Sequence, residues 1–269
     1  MYNRLIRFFD NYEILYNNQY GFRKKRSTSL ALLYLHDKIT SAIDERKHTV
    51  GSFLDLSKAV NHRILLEKLE HFGIRGLALE GIKCYLYNRH QINGISSSLL
   101  EISCGVPQGS VLCPLFFLIY INDLCQISNI YDLVLFADDT NLFFSHFDST
   151  TLMNLVNSEM LKLFDWFKAN KLSLNIQKSN YIIFKPRQRR DELTLGIEMD
   201  GFKMNQVKED NFLGVILDET LSWKPHISQV ASKSPSLWAL FVNLVFVLLG
   251  RLCVLYTIHV FILIFNFAF

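Results

Sequence analysis

Cysteine is scarce and scattered in this chain. Cys84, Cys104, Cys113, Cys125 and Cys253 form no CxxC pair and no Cys/His cluster. That pattern excludes a disulfide scaffold and the usual zinc sites, and the odd count reads as reduced, buried thiols of an intracellular protein. Neither sign of charge is in excess: 28 basic and 25 acidic side chains leave +3, too little for a histone-like or polybasic protein. The first ten residues hold Arg4 and Arg7 and no unbroken apolar run, so no secretory leader is expected. One absence is local. From Leu237 to Phe269 the sole charged residue is Arg251, whereas the rest of the chain averages about −0.1 in hydropathy, an ordinary soluble value. What remains is a chain of 269 residues, half of them apolar. It is long enough for one large domain or two small ones, and too apolar to be disordered.

Apolar spacing divides the chain into helices and strands. After the basic loop Gly21 to Arg26, Ser27 or Thr28 can cap a helix whose apolar stripe is Leu32, Leu35, Ile39 and Ile43. Val50 to Leu56 reads as a buried strand ending near Asp55, and Ile64 to Phe72 as a helix with Leu65, Leu69 and Phe72 on one face. Gly105 to Ser110 is a loop, followed by a buried helix over Val111 to Leu124. Leu133 to Ala137 and Asn141 to Ser145 flank Asp138-Asp139-Thr140 at hairpin spacing. An amphipathic helix over Leu152 to Lys168 turns Leu152, Leu155, Met160, Leu163 and Phe167 inward; Tyr181 to Phe184 and Phe212 to Leu217 are further strands. Strands and helices mix without regular alternation, which makes the expected class α+β.

Three aspartates invite a chemical reading. Asp55 ends one strand, and Asp138 and Asp139 sit on a hairpin between two others. If those strands are neighbours the carboxylates converge, and such like charges are unfavourable unless one protonates or a cation intervenes. A pair of Mg²⁺ ions would satisfy them and leave positions open for phosphates, the chemistry of nucleotidyl transfer. Taken alone, an Asp-Asp pair reads first as a solvated turn, and Asp55 as a helix cap.

The neighbouring motifs resemble the reverse transcriptases of non-LTR, LINE- or jockey-type retrotransposons. Gln19-Tyr20-Gly21-Phe22-Arg23, with Ser27-Thr28, is similar to the family's fingers motif, and Phe53-Leu54-Asp55-Leu56-Ser57-Lys58-Ala59 to its first catalytic strand. Gly105-Val106-Pro107-Gln108-Gly109-Ser110-Val111-Leu112, followed by Phe117 to Leu124, resembles its nucleotide- and template-contacting loop and helix. Phe136-Ala137-Asp138-Asp139-Thr140-Asn141 is similar to its catalytic hairpin, and Asn170 to Asn175 with Lys178 to the next motif. Phe212-Leu213-Gly214-Val215, with Leu221-Ser222-Trp223, resembles the primer-grip region. The motifs stand in order between Gln19 and Ile227, and that order makes the signal specific.

The resemblance implies a right-hand polymerase: a palm sheet backed by helices, partial fingers over 15–49, palm over 50–217, and a degenerate thumb-like region over 218–269. Asp55 and Asp138 would bind two Mg²⁺ ions, with Mn²⁺ a substitute, Asp139 as neighbour and the Leu56 carbonyl assisting. Lys178 would give a proton to pyrophosphate. Arg23, Lys24, Arg26, Pro107, Gln108, Gly109 and Phe136 would face nucleotide or template, and Phe212, Leu213 and Gly214 the primer. A second basic cluster, Lys185, Arg187, Arg189 and Arg190, is either a duplex contact or a linker. The implied partners are an RNA template, a DNA primer and dNTPs in the nucleus or cytoplasm, with no small-molecule cofactor.

Departures from the family pattern set further expectations. Ala59 runs directly into Val60-Asn61-His62, three residues short, so the segment after Asp55 must be redrawn or its strand shifted in register. Cys113 stands at a usual Gly and would be strained at positive φ, and Gly81 replaces a usual Trp. The chain begins just before the fingers motif, without upstream fingers strands, endonuclease or RNase H domains. These departures suggest a truncated copy of weak or no activity, with a non-catalytic nucleic-acid-binding relic as the alternative. A second alternative is a membrane tether through 237–269, since that stretch exceeds the roughly 20 residues of a bilayer span. Arg251 interrupts it, however, and it lacks the polar, basic face a working thumb needs.

Overall fold

In the computed structural model, the described residues are 1–56, 60–87, 104–105, 109–175, 177–186, 193–199 and 201–233. The elements in chain order are α1 (Tyr2–Asn11), α2 (Thr28–Asp44), β1 (His48–Leu54), α3 (His62–His71), α4 (Leu77–Leu86), α5 (Cys113–Ile121) and a 3₁₀ turn (Asn122–Gln126). There follow β2 (Asp132–Phe136), β3 (Asp139–His146), α6 (Ser149–Ala169), β4 (Asn180–Phe184), β5 (Glu198–Met199), β6 (Phe202–Lys203) and β7 (Asn205–Gln206). The hairpin β8 (Glu209–Phe212) and β9 (Val215–Asp218) leads into α7 (Lys224–Lys233). The class is α+β, as the sequence predicts.

A five-stranded sheet in the order β2-β3-β1-β4-β7 organises the rest. Its central strand β1 pairs antiparallel with β3 and β4, which buries it on both flanks. Because side chains alternate across a strand, each face carries its own core. One face sets Phe53, Val134, Phe143, Ile182 and Phe184 against α2 residues Ala31, Leu32, Leu35 and Ile39. The other sets Val50, Leu54, Leu135, Leu142 and Phe144 against helices α1 and α3 to α6. Gly51 is the narrow point of the first face: a Cβ there would lie 2.7 Å from a Phe143 ring atom and 2.8 Å from one of Phe184.

Helix starts follow their caps. The Ser27 hydroxyl accepts from Leu30 N before α2, Asn61 Oδ1 from Ile64 N before α3, and Asp148 Oδ2 from Thr151 N before α6, each satisfying a backbone donor with no partner in the helix.

Several expectations are corrected. Phe212 to Leu217 is a hairpin and not one strand, because Leu213 (φ 51°) and Gly214 (φ 84°) both adopt positive φ, as a tight two-residue turn requires. The helix after Val111 ends at Ile121 and continues as 3₁₀. On α6 Val156 is buried and Leu155 only half-buried. Cys84 and Cys104 are exposed thiols, not buried ones. Of the two outcomes expected after Asp55, the register shift does not occur, since β1 keeps one register with β3 from His48↔His146 to Leu54↔Thr140; the other falls on residues 57–59, outside the described set. Cys113 begins α5 without positive φ, so it carries no such strain. At Gly81 an added Cβ would stand 3.2 Å from Met1 Cε, so α1 packs where a larger side chain would lie. Residues 237–269 lie outside the described set, as do Pro107, Gln108 and the second basic cluster apart from Lys185. Among the described residues no helix is long and apolar enough to cross a membrane.

Candidate active site

The register of the sheet assembles the site. Phe53 pairs with Asn141 and Leu54 with Thr140, so the next residues on the two strands, Asp55 and Asp139, come side by side. Both project on the α2 face, two residues along from Phe53 and Asn141. Asp55 is fixed through its backbone: its N–H donates to Ser179 Oγ (3.3 Å) and its carbonyl accepts from Asn175 N (2.9 Å). The half-buried Leu56 forms an isolated bridge with Leu174. These bonds tie the Asn175–Ser179 turn, which carries Lys178, to the end of β1.

Asp139 opens β3, paired with Phe136, so the hairpin loop is only Ala137 and Asp138. Ala137 holds φ 55°, a left-handed conformation that costs a residue with a Cβ about 1–2 kcal/mol. A cleft of about 110 Å³ is lined by Asp55, Asp139, Asn141, Lys178, Asp210 and Phe212, among others. Part of the Asp139 side chain still meets water, yet its carboxyl is pushed above the ordinary aspartate range. Lost hydration is the largest cause, followed by the carboxylates of Asp138 and then Asp55. The pocket thus concentrates negative charge opposite one lysine.

The structure brings Asp55, Asp139, Lys178, Phe212 and Leu213 to one cleft. Asp138 sits beside it, exposed on the turn. Phe212 packs at a tilt against Phe53 with ring centroids 6.1 Å apart, and Gly214 N donates to Asn211 Oδ1 (3.0 Å), which shapes the β8–β9 turn. Phe136 is half-buried against the α2-side core. Gly109 has φ 80° and open space about it. Arg23 turns inward and donates to the Tyr16 carbonyl (2.6 Å), Arg26 lies 5.3 Å from the centre of the Tyr20 ring, and Lys24 is exposed. Lys185 pairs with Glu219 at 3.1 Å.

Sequence reasoning missed Asp210 and Asn180, and took Asn141 only as the end of the hairpin motif, with no role of its own. Asn141 was within reach of period-two alternation, being two residues from Asp139. Asp210 was not, because tertiary ties, among them the bond from Asn180 Nδ2 to Asp210 Oδ2 (3.1 Å), bring β8 over the end of β4.

Paired carboxylates at the ends of neighbouring antiparallel strands, with a lysine on the next turn, suit phosphoryl-transfer chemistry on an α+β sheet. The chain belongs to the reverse transcriptase family: residues 1–217 match the profile described as reverse transcriptase (RNA-dependent DNA polymerase). It is 27% identical over 245 residues to the probable RNA-directed DNA polymerase from transposon BS of Drosophila melanogaster, covering 84% of this chain and 26% of that protein. It is 24% identical over 241 residues to the RNA-directed DNA polymerase from mobile element jockey of the same fly, covering 85% and 26%. The chain therefore spans about a quarter of the length of these relatives, and the jockey-type resemblance of its motifs holds along most of it. Among solved structures, telomerase from Candida albicans in complex with a TWJ fragment of telomeric RNA aligns at TM-score 0.47 and 15% identity. That alignment covers 86% of this chain and 40% of the telomerase chain.

Proposed function

We propose that the chain is the polymerase domain of a jockey-type non-LTR retrotransposon, transferring dNTPs onto a DNA primer 3′ end along an RNA template. The observation that carries this reading is the unbroken β1–β3 register, which sets Asp55 beside Asp139 in the cleft that Lys178 and Phe212 share. In these terms the five-stranded sheet is the palm, the Tyr20–Arg26 loop and α2 a partial fingers, β8–β9 the primer grip, and α7 the start of a thumb.

The donor set fits a divalent metal. Carboxylate oxygens are hard ligands, and beyond the lost hydration that chiefly raises the Asp139 carboxyl, the neighbouring Asp138 and Asp55 carboxylates raise it further, charge that a cation would relieve. Among the described residues no three His, Cys, Asp or Glu side chains converge on one point, so substrate phosphates would complete the shell. Asp55 and Asp138 would hold the ions, with Asp139 beside them in the cleft and the Leu56 carbonyl within the same strand end. Bound Mg²⁺ or Mn²⁺ would supply Lewis-acid activation of the primer hydroxyl and neutralise the leaving pyrophosphate. Lys178 offers its ammonium to the leaving phosphates. Phe212 and Leu213 close the cleft on the primer side, and the exposed Lys24 and the ring-stacked Arg26 are placed for template or nucleotide phosphates.

Primer extension on an RNA template by the purified chain tests the reading. The expected result is slow dNTP incorporation that falls at least about 100-fold in Asp55→Ala and in Asp138→Ala. Incorporation that survives both substitutions overturns the assignment of the site. No incorporation by the wild-type chain, with retained nucleic-acid binding, returns it to the non-catalytic relic.

A further inference from the structure

Gln19 lies outside the cleft, yet it is built into the loop that carries the aspartates. Residues 18 to 20 run alongside β2: Leu135 N donates to Asn18 O (3.0 Å), Tyr20 N to Leu135 O (2.8 Å), and Gln19 and Leu135 form a parallel bridge. The Gln19 side chain is 2% exposed. Its Oε1 accepts from Gly21 N at 2.8 Å and from Ala137 N at 3.3 Å. Ala137 is the first residue of the two-residue loop and the one at φ 55°. Gly21 completes the seat, because a Cβ there would run into Ala137 N and stand 3.0 Å from the Phe136 carbonyl carbon.

A left-handed alanine persists only where its surroundings over-determine it. Here the surroundings are one carboxamide oxygen and one glycine, both contributed by a segment more than a hundred residues away in sequence. At the other end of the same side chain, Gln19 Nε2 is buried with no hydrogen-bond partner among the described residues, a placement that costs stability. An apolar side chain of similar length would avoid that cost but strand the Gly21 and Ala137 N–H groups, so what the glutamine contributes is the acceptor that holds the loop.

We infer that Gln19 is a positioning residue for the proposed reaction: its Oε1 holds Ala137 N–H and so fixes the Ala137-Asp138 loop that aims Asp138 and Asp139. In its bearing on metal and nucleotide the inference rests on the function proposed above. Its bearing on the loop does not.

Gln19→Met in the full chain separates the two. The substitution keeps length and apolar volume, deletes the acceptor, and removes the unpaired amide. The melting temperature should fall by a few degrees, because the Gly21 and Ala137 N–H groups lose their acceptor and the relieved amide offsets only part of that loss. Hydrogen–deuterium exchange should speed about tenfold or more at Ala137 and its loop while β1 and β4 keep their protection. Binding of Mn²⁺, read by electron paramagnetic resonance without substrate, should weaken about five- to tenfold. Unchanged exchange at Ala137 overturns the inference, whatever the metal does. Faster exchange with unaltered Mn²⁺ affinity, in a chain whose Mn²⁺ binding is lost in Asp55→Ala, overturns the positioning role. If Mn²⁺ binding is indifferent to Asp55→Ala, the proposed function falls, and Ala137 exchange still decides whether Gln19 holds the loop.

Discussion

Asp218 shows how one side chain can organise a motif. Its carboxylate accepts from Thr220 N and Oγ1 (3.2 and 2.6 Å), from Ser222 N and Oγ (2.8 and 3.1 Å) and from Trp223 N (3.1 Å). Leu221 and Trp223 both hold positive φ, so the carboxylate compensates backbone that a chain with side chains avoids. Burial alone would raise the Asp218 carboxyl, but the bonds from Thr220 and Ser222 overcome it and hold it below the usual aspartate range. The folded pKa is thus depressed. Its stabilisation is complete above the unfolded value near 3.9 and is lost as pH falls toward the folded one. Asp218→Ala should cost about 2–3 kcal/mol at pH 7, since buried donors lose their acceptor, and that difference should shrink markedly by pH 3. Urea unfolding at the two pH values checks this, and a cost independent of pH would sink it. The Leu-Ser-Trp motif was readable in the sequence. That Asp218, upstream of it, is the acceptor was not, because the bonds close only once β9 turns into α7.

At the scale of the element, legibility followed how local the cause was. α2 could be read from Ser27 and the spacing of Leu32, Leu35 and Ile39, since cap and stripe lie within the helix. The β2–β3 hairpin could be read from two apolar runs and the Asp pair between them. β8–β9 was read as a single strand because apolar continuity from Phe212 to Leu217 masked the turn, and only Gly214 hinted at it. The tertiary ties that settle it are remote: Asn180 to Asp210, Phe53 to Phe212, and Lys185 to Glu219. The same remoteness governs β1. In a strand interior Gly to Ala is ordinarily worth about 0.5–1 kcal/mol of added stability. At Gly51 the rings of Phe143 and Phe184 stand inside contact distance of the new methyl, and overpacking costs about 1–3 kcal/mol. The clash wins. Gly51→Ala should lower the urea midpoint and, because β1 ends on Asp55, reduce the Asp55-dependent incorporation proposed above; a raised midpoint would show the two rings to be freely displaceable.

Over the whole molecule, the carboxylates emerge on the α2 face, and the opposite face supplies the platform that keeps β1 and β3 in register. A polar clamp ties that platform together. Lys68 of α3 donates to the Tyr120 carbonyl of α5 and to Asp123 Oδ1 of the 3₁₀ turn, both at 2.6 Å. Its ammonium lies 5.0 Å from the centre of the Tyr120 ring and 4.7 Å from that of Trp166 on α6. Trp166 Nε1 in turn lies 3.4 Å from Asp123 Oδ2. Burial pulls Lys68 below the ordinary lysine pKa, and Asp123 pushes part of the way back. Removing one partner from such a pair leaves a desolvated charge, and the cost is greater where the stranded group is the better buried. The Lys68 side chain is 13% exposed and that of Asp123 32%, so Asp123→Ala should destabilise more than Lys68→Met. The expected costs are about 3 and about 1–2 kcal/mol, below the fully buried case because both groups retain some solvent. Without Asp123 the folded pKa of Lys68 drops further. A depressed lysine binds its proton less readily folded than unfolded, so stability rises with pH between the two values. The deficit of Asp123→Ala should therefore narrow as pH rises from neutral toward the ordinary lysine range and the stranded ammonium gives up its proton, more than that of Lys68→Met does. Urea unfolding of both variants across that range decides the point: parallel curves would mean that Lys68 keeps its charge through the Tyr120 carbonyl and the two rings alone.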